Sequence, residues 1–432
     1  MGSLTATRPA PGRVEYADVA IVGAGPGGST VAAHLAGAGR AVALIEKEAF
    51  PREKVCGDGL TPRAVKQLHA LGLSEEAEGR VEGWRRTQGL RIHGGGATHE
   101  LPWPRLEDWP AHGLTCNRLD FDATLARHAA KTGAMLWERT EVVGPLWRED
   151  PAGNGEGRVA GVRWRDAEDR EGEIRAPVVI ASDGASSRFA VGLGLHRDSD
   201  RPMGVAVRTY FRSPMHDDAW LSSFLDLKEG DELLPGYGWL FPMADGTINL
   251  GCGLLNTSHA QGINYRQLMD RWAGAMPPEW QLSLETRTGS VRSGALPMGF
   301  SRTPHHHRGV LLVGDAGGMV NPFNGEGIAY AMEAGQLAAE VVDRALTLRS
   351  TAILDYYPAD LRRRWGGYYT LGRWFVRLIG NPEFMRICTT YGMPHRHLMV
   401  FVLKLLANLT DQRRGDAMDV VINSLSRMAP AA

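Results

Sequence analysis

The chain opens on apolar runs that end in glycine. ADVAIV (17–22) stops at Gly23, a pattern that predicts a strand buried on both faces of a parallel sheet. Small residues at helical spacing follow over 26–38. AVALI (41–45) then predicts a second buried strand ending at Glu46, so the chain starts as a βαβ unit. FPREKVCGDGL (50–60) reads as a loop, and 62–72 as a helix stopped by Gly72. Residues 84–116 are rich in Trp and Gly and predict short strands without a helix. Over 119–132, Leu119, Ala123, Leu125, Ala126 and Ala129 mark an amphipathic helix. A hairpin returning to a buried strand is expected over 157–181.

From 203 to 255 the pattern changes to strands, with Asp245-Gly246 as a hairpin turn between 237–242 and 246–253. This block predicts a mostly antiparallel sheet. GVLLV (309–313) returns to the buried type and precedes a long helix, about 327–348, marked by Ile328, Met332, Ala338, Val342 and Leu346. The stretch 352–432 is helical and aromatic, broken at Pro382 and Pro394. No fixed period recurs.

Composition narrows the functional classes. Lys+Arg is 48 against Asp+Glu 49, a formal net charge of -1 that leaves no nucleic-acid footprint. A hydrophobic share of 43% with 22% charged residues is globular, not disordered. At ~150 residues per domain the chain holds two or three domains' worth of core. Glycine, 53 of 432 residues, exceeds the usual ~7% and sits in clusters where phosphate loops are to be sought. Cys56, Cys116, Cys252 and Cys388 are far apart, with no C-x-x-C and no zinc pattern, so no metal is expected and a reducing cytosol fits. Residues 1–14 lack the apolar core of a signal peptide and read as a loose arm. No apolar run approaches the ~18 residues of a membrane span. His305-His306-His307 cannot all face one ion and reads as a solvated loop.

Gly23-Ala24-Gly25-Pro26-Gly27-Gly28 is G-x-G-x-x-G between a predicted strand and a predicted helix, with Glu46 closing the next strand. That placement is the one a dinucleotide fold requires. Gly23 makes the turn, Gly25 admits the pyrophosphate, Gly28 lets helix and strand pack, and Glu46 can accept from a ribose. A second cluster decides between NAD and FAD. Val313-Gly314-Asp315-Ala316 ends a buried strand, and Asn321-Pro322-Phe323-Asn324-Gly325-Glu326-Gly327 leads into a helix. An Asp at a strand end can hold a ribitol chain, and a Gly-rich helix start can aim N–H groups at the flavin pyrimidine edge. FAD is long enough to need both halves.

Assembled, these residues resemble the geranylgeranyl reductase family of flavoproteins, within the para-hydroxybenzoate-hydroxylase-like fold group. The carrying motifs are Gly23–Gly28 with Glu46, PREKVCGDG (51–59), Asp183-Gly184, PGYGWLFP (235–242) and 314–327, in order over nearly the whole chain. GGYYTLGR (366–373) and KLLANLT (404–410) resemble the actinobacterial members that reduce the isoprenoid tail of menaquinone. The resemblance implies an α/β fold: a Rossmann-like FAD-binding domain from 15–83, 114–195 and 290–350, an antiparallel-sheet substrate domain from 84–113 and 196–289, and a C-terminal helical region, 351–432. It implies that Gly23, Gly25, Gly28, Glu46 and Lys47 meet the ADP half. The resemblance implies that Arg118 contacts the cofactor and that Val142 lies near the adenine. Asp183, Asp315, Gly325, Gly327 and Ile328 belong to the segments around the ribitol and isoalloxazine, and Cys56 and Gly57 to a loop at the flavin face. One departure stands out: the hydroxylases carry D-G-x-x-S-x-x-R, and here the arginine position is Ala190, with Arg188 two residues earlier.

The implied activity is FAD-dependent saturation of a double bond in a polyprenyl chain, such as a menaquinone side chain. Tyr237, Trp239 and Phe241 stand at i, i+2 and i+4 and so line one face of a strand. Backed by Gly236 and Gly238, they form an aromatic wall suited to that chain. Pro242 places the wall at the sheet's edge. Adding hydrogen across an isolated alkene needs a hydride and a proton, and the Cys56 thiol either donates the proton or only shapes the site. The competing readings are a flavin monooxygenase or halogenase on the same fold, and an isoprenoid carrier. A halogenase motif, W-x-W-x-I-P, is here Y-G-W-L-F-P. A single G-x-G-x-x-G leaves the electron donor unidentified. Leu398, Met399, Phe401, Val402, Leu405, Leu406 and Leu409, with Lys404 and Asn408 opposite, form an apolar face for a membrane surface or for the protein's own core.

Overall fold

The structure is a computed structural model that describes residues 14–148, 157–230, 232–256 and 262–431. Apart from Val14, the expected N-terminal arm lies outside the described residues. Strand β1 (Val19–Val22), helix α1 (Pro26–Gly37), strand β2 (Val42–Ile45), helix α2 (Pro62–Ala70) and helix α3 (Arg118–Thr132) follow the order the sequence predicts. β1 and β2 lie inside a six-stranded sheet ordered His306–His307, Val310–Leu312, Val178–Ala181, β1, β2, Met135–Trp137. Every neighbour is parallel except the His306–His307 edge. Val19 and Ile21 face a core with α1, α3 and the long helix at 328–347. Ala20 and Val22 face Trp164, Val162 and Ile174 of a four-stranded sheet on the other side. Burial on both faces is why these strands read as unbroken apolar runs.

Strands β3 (Met203–Arg212), β4 (Gly236–Pro242), β5 (Thr247–Leu255) and β6 (Arg292–Pro297) belong to a seven-stranded sheet. Its order is β6, β3, β5, β4, Trp220–Phe224, Gly89–Gly94, Ala97–Pro102. Residues 292–297, assigned by sequence to the FAD-binding part, thus pair with β3 in the other sheet. β4 is the fourth strand of seven, which corrects the expectation that the aromatic wall sits at an edge. Pro242 is tolerated because the neighbour on that side pairs only as far as Leu240, so no ladder bond is asked of the missing N–H. One face of this sheet is covered by the helix Tyr265–Gly274, whose Trp272 packs over Gly238. The other face looks toward the 50–60 loop.

Helix α4 (Ile328–Thr347) packs against Tyr368 and Tyr369 of α5 (Gly367–Ile379) and Leu405 and Leu406 of α6 (Arg396–Leu406), and α7 (Ala417–Met428) packs on α5. α6 decides between the two readings of its apolar face and corrects the expectation for Lys404. Met399, Leu403 and Leu409 are buried against Ile92, Leu101 and Trp103, and Phe401, Val402, Leu405 and Leu406 are half-buried. Of the expected apolar face only Leu398 is exposed. Lys404 is buried as well, because Asp416 and Asp419 at the start of α7 take its Nζ at 2.8 and 2.9 Å. The histidine triplet is not a solvated loop. His305 is buried, with Nε2 against the Gly317 carbonyl at 3.0 Å, and burial lowers its pKa to about 4. His306 is half-buried and meets Asp355 at 2.7 Å. Among the described residues no His/Cys/Asp/Glu cluster could hold a metal.

Candidate active site

The glycine loop between β1 and α1 is built as the sequence requires. Gly23 has φ +95, and a Cβ there would lie 2.5 Å from the Ser182 carbonyl oxygen. A Cβ on Gly28 would lie 2.0 Å from the Gly23 oxygen. Gly25 differs: the nearest atom to its Cβ position is Arg52 Nη2, at 3.7 Å. α1 has no acidic residue in its first turn and no side-chain cap. The loop is therefore an open cradle of backbone donors beside a guanidinium, which suits a pyrophosphate. Glu46 is buried, and its Oε2 accepts from Ala24 N at 3.1 Å and faces Arg52 Nη2 at 3.2 Å.

Behind the cradle, Asp122 on α3 organises two arginines. It is fully buried and accepts from Arg52 at 2.9 Å and from Arg118 twice, at 2.7 Å each. Arg118, buried beside Cys56, is thereby locked in orientation. Val142 is half-buried in the strand Thr140–Arg148, whose Thr140 N–H bonds the Glu46 carbonyl at 2.9 Å. Lys47 is exposed. The Asp183 carboxylate is engaged locally, accepting from Ser187 Oγ at 2.6 Å and Phe189 N at 3.1 Å, and burial raises its pKa. Ala190 is fully buried and Arg188 points outward, its side chain 87% exposed, so this segment presents no arginine to the site.

The second half-site lies at the start of α4. Asp315 makes no cap, and its Oδ2 faces Lys54 Nζ at 3.7 Å. A Cβ on Gly327, the residue before Ile328, would sit 3.4 Å from Asp315 Oδ1. Gly325 has φ +73 and lets the loop turn into the helix. Cys56 packs against the cluster holding Phe121 and Ile328. Its Sγ accepts the Asp58 N–H at 3.3 Å, and burial raises the thiol pKa.

The Cys56–Gly57 loop is pressed onto the aromatic wall. A Cβ on Gly57 would lie 3.1 Å from Phe241 and 3.3 Å from Trp239 Nε1. Trp239 is buried and donates to Asn249 Oδ1 at 2.9 Å, while Tyr237 and Phe241 are half-buried. Tyr237 donates to the Asn324 carbonyl at 2.7 Å, joining the wall to the loop before α4. The structure therefore brings Cys56, Gly57, Tyr237, Trp239, Phe241 and the start of α4 to one place.

Sequence reasoning missed the polar group under that loop. Asp58 is fully buried and accepts from Tyr210 Oη at 2.5 Å and Asn249 Nδ2 at 2.8 Å; burial pushes its pKa up to about 6. Asn249 also donates to the Cys56 carbonyl at 2.9 Å. No local pattern marks Tyr210 or Asn249, since they sit on facing strands of the sheet. Arg63 and Glu333, an ion pair at 2.7 Å, were missed for the same reason. The two C-terminal motifs gain a role. Tyr369 donates to the Met319 carbonyl at 2.6 Å, Tyr368 to Leu405 O at 2.8 Å, and Arg63 to Asn408 O at 2.8 Å. GGYYTLGR and KLLANLT thus clamp the 319–327 loop and α2 together.

The glycine cradle, Arg118 of the Arg52–Asp122–Arg118 array and Asp315 at the head of α4 are the residues the sequence assigns to the two ends of an FAD. The chain belongs to the FAD binding domain family, whose model matches residues 16–365. It is an FAD-dependent oxidoreductase. It is 36% identical over 405 residues to menaquinone reductase of Mycolicibacterium smegmatis, covering 93% of each chain. It is 30% identical over 345 residues to digeranylgeranylglycerophospholipid reductase of Thermoplasma volcanium, covering 77% of this chain and 79% of that one. In fold it is similar to a geranylgeranyl bacteriochlorophyll reductase-like protein of Thermoplasma acidophilum, with TM-score 0.75, 23% identity, and 96% and 100% of the two chains covered.

Proposed function

We propose that this enzyme saturates a double bond in a polyprenyl chain, the isoprenoid side chain of a menaquinone. The observation that carries the reading is the aromatic wall, Tyr237, Trp239 and Phe241, closed on by the Cys56–Gly57 loop at the head of α4. The relatives that match over most of the chain support it. Bound FAD, when reduced, supplies the hydride. The residues of the chain hold the apolar substrate against the aromatic rings, exclude water and deliver the proton. Cys56 serves as packing: its sulfur is tied to the Asp58 N–H and its thiol is held neutral by burial.

The test is anaerobic photoreduction of the holoenzyme with a long-tailed menaquinone, followed by mass spectrometry of the quinone. A gain of two hydrogens located in the side chain supports the reading. Flavin reoxidation with the side chain unchanged overturns it. Phe241→Ala should keep FAD and raise KM for the long-tailed substrate about tenfold, the factor for losing ~1.4 kcal/mol of apolar contact. Cys56→Ser should keep both FAD and the single-turnover rate.

The enzyme works peripherally on the cytoplasmic membrane, since its substrate resides in the bilayer. Among the described residues no helix is long and apolar enough to cross a membrane. Trp374, Leu378, Ile387, Tyr391 and Leu398 are exposed on the C-terminal helices, with Arg377, Arg386 and Arg396 nearby in sequence. Such a mixture suits an anionic lipid surface. Trp374→Glu with Leu378→Glu, both at least 47% exposed, should abolish sedimentation with anionic vesicles and leave the melting temperature unchanged.

A further inference from the structure

Glu326 lies in the NPFNGEG loop, and nothing above uses its side chain. Its backbone is fixed on both sides: Asn324 Oδ1 accepts its N–H at 3.0 Å and its carbonyl accepts from Asn321 N at 2.9 Å. Its Oε1 accepts from Thr61 Oγ1 at 2.5 Å, and its Oε2 is buried with no hydrogen-bond partner. Tyr237 of the wall bonds the same loop two residues earlier. The Asn324 side chain lies beside this carboxyl, and the titratable groups facing it are Arg63 on α2, Tyr237 on β4, Tyr330 and Glu333 on α4, and Tyr369 on α5. The one cation among them, Arg63, is already paired with Glu333 at 2.7 Å. Glu333 itself adds a repelling negative charge.

We infer that Glu326 is the acid that protonates the alkene, through the oxygen that has no partner in the protein. This rests on the proposed reductase reading. The hydride forms one C–H bond, the Glu326 O–H bond breaks as the second C–H bond forms, and water reprotonates the carboxylate between turnovers. Burial pushes the Glu326 pKa up to about 7, so a large share of the group is a neutral acid at neutral pH. A general acid works best when its pKa lies near the working pH. Cys56 is a weaker acid, raised further by burial. Asp58 also has a buried oxygen without a partner, Oδ1, but it lies under the Cys56 loop with Oδ2 held by both Tyr210 and Asn249.

Glu326→Gln keeps an acceptor for Thr61 and removes the proton. FAD loading should be unchanged, and single-turnover reduction of the side chain should fall about a hundredfold or more. Stability gives a readout independent of turnover. A carboxyl with a raised folded pKa destabilises the folded state as pH rises from the ordinary carboxylate range through about 7. The urea midpoint of E326Q should therefore gain on wild type between about pH 5 and about pH 8. Equal single-turnover rates for wild type and E326Q, or a midpoint difference that does not change with pH, overturn the assignment. So does a rate lost in C56S and kept in E326Q, which moves the role to the thiol. The two readings fail differently: an inactive wild type sinks the proposed function, whereas an active wild type matched by E326Q sinks only the role of Glu326.

Discussion

Gly25→Val yields a folded, colourless protein. The added Cβ meets no backbone, since the nearest atom to its position is the end of Arg52 at 3.7 Å. It does fill the cradle at the start of α1 where a pyrophosphate must approach the backbone. The expected result is loss of the flavin absorbance from the purified variant, with the circular dichroism and melting profile of the wild-type apoprotein. Asp315→Ala should weaken loading for a different reason. It removes the carboxylate beside Gly327 and leaves Lys54 without the charge it faces at 3.7 Å. Full FAD occupancy in both variants would contradict the split site. Gly28 makes a useful contrast: a Cβ there lies 2.0 Å from the Gly23 oxygen, so even Gly28→Ala should damage the fold and not only the cofactor.

Arg63→Ala should be the most destabilising single change in the molecule's polar interior. Arg63 is buried against Glu333, which is 1% exposed, and donates to the Asn408 carbonyl. Its guanidinium also lies 4.9 Å from the Trp109 ring and 5.0 Å from the Tyr330 ring. Removing one member of a buried pair strands the other and costs about 3–5 kcal/mol. Arg364, at 3.2 Å from Glu333 but half-exposed, offsets little of this. The measurement is the urea midpoint, expected to fall sharply. Arg63→Lys should recover only part of the loss, because a single ammonium cannot span Glu333 and the Asn408 carbonyl as the planar fork does. A midpoint within error of wild type would show that the C-terminal segment is not tied to α2 through this residue.

Local signals were legible wherever one short segment carries its own reason. The buried strand at 17–22, the turn at Gly23, the helix after it and Glu46 all follow from residues adjacent in the chain. Pro242 misled because a proline reports only that one N–H is missing. Whether that matters depends on how far the pairing with the neighbouring strand extends, and here it stops at Leu240. Lys404 misled likewise. A lysine in an apolar helix reads as the wet side until α7 brings Asp416 and Asp419 against it. The apolar face of α6 gave two open readings, and Ile92, Leu101 and Trp103 settled it as core.

The amino-acid sequence by itself determined the glycine loop after β1, Glu46 at the end of β2 and the aromatic strand, because glycine spacing and period-two alternation are properties of consecutive residues. Tertiary structure alone decided what surrounds them. Asp58, Tyr210 and Asn249 meet only because β3 and β5 pair in one register and the 50–60 loop folds down on them. Glu326 is an ordinary acidic residue in a loop until Thr61, Tyr237 and the Arg63–Glu333 pair enclose it. Its proton affinity is set by the water removed and the charges gathered around it, and those come from residues far apart in the chain.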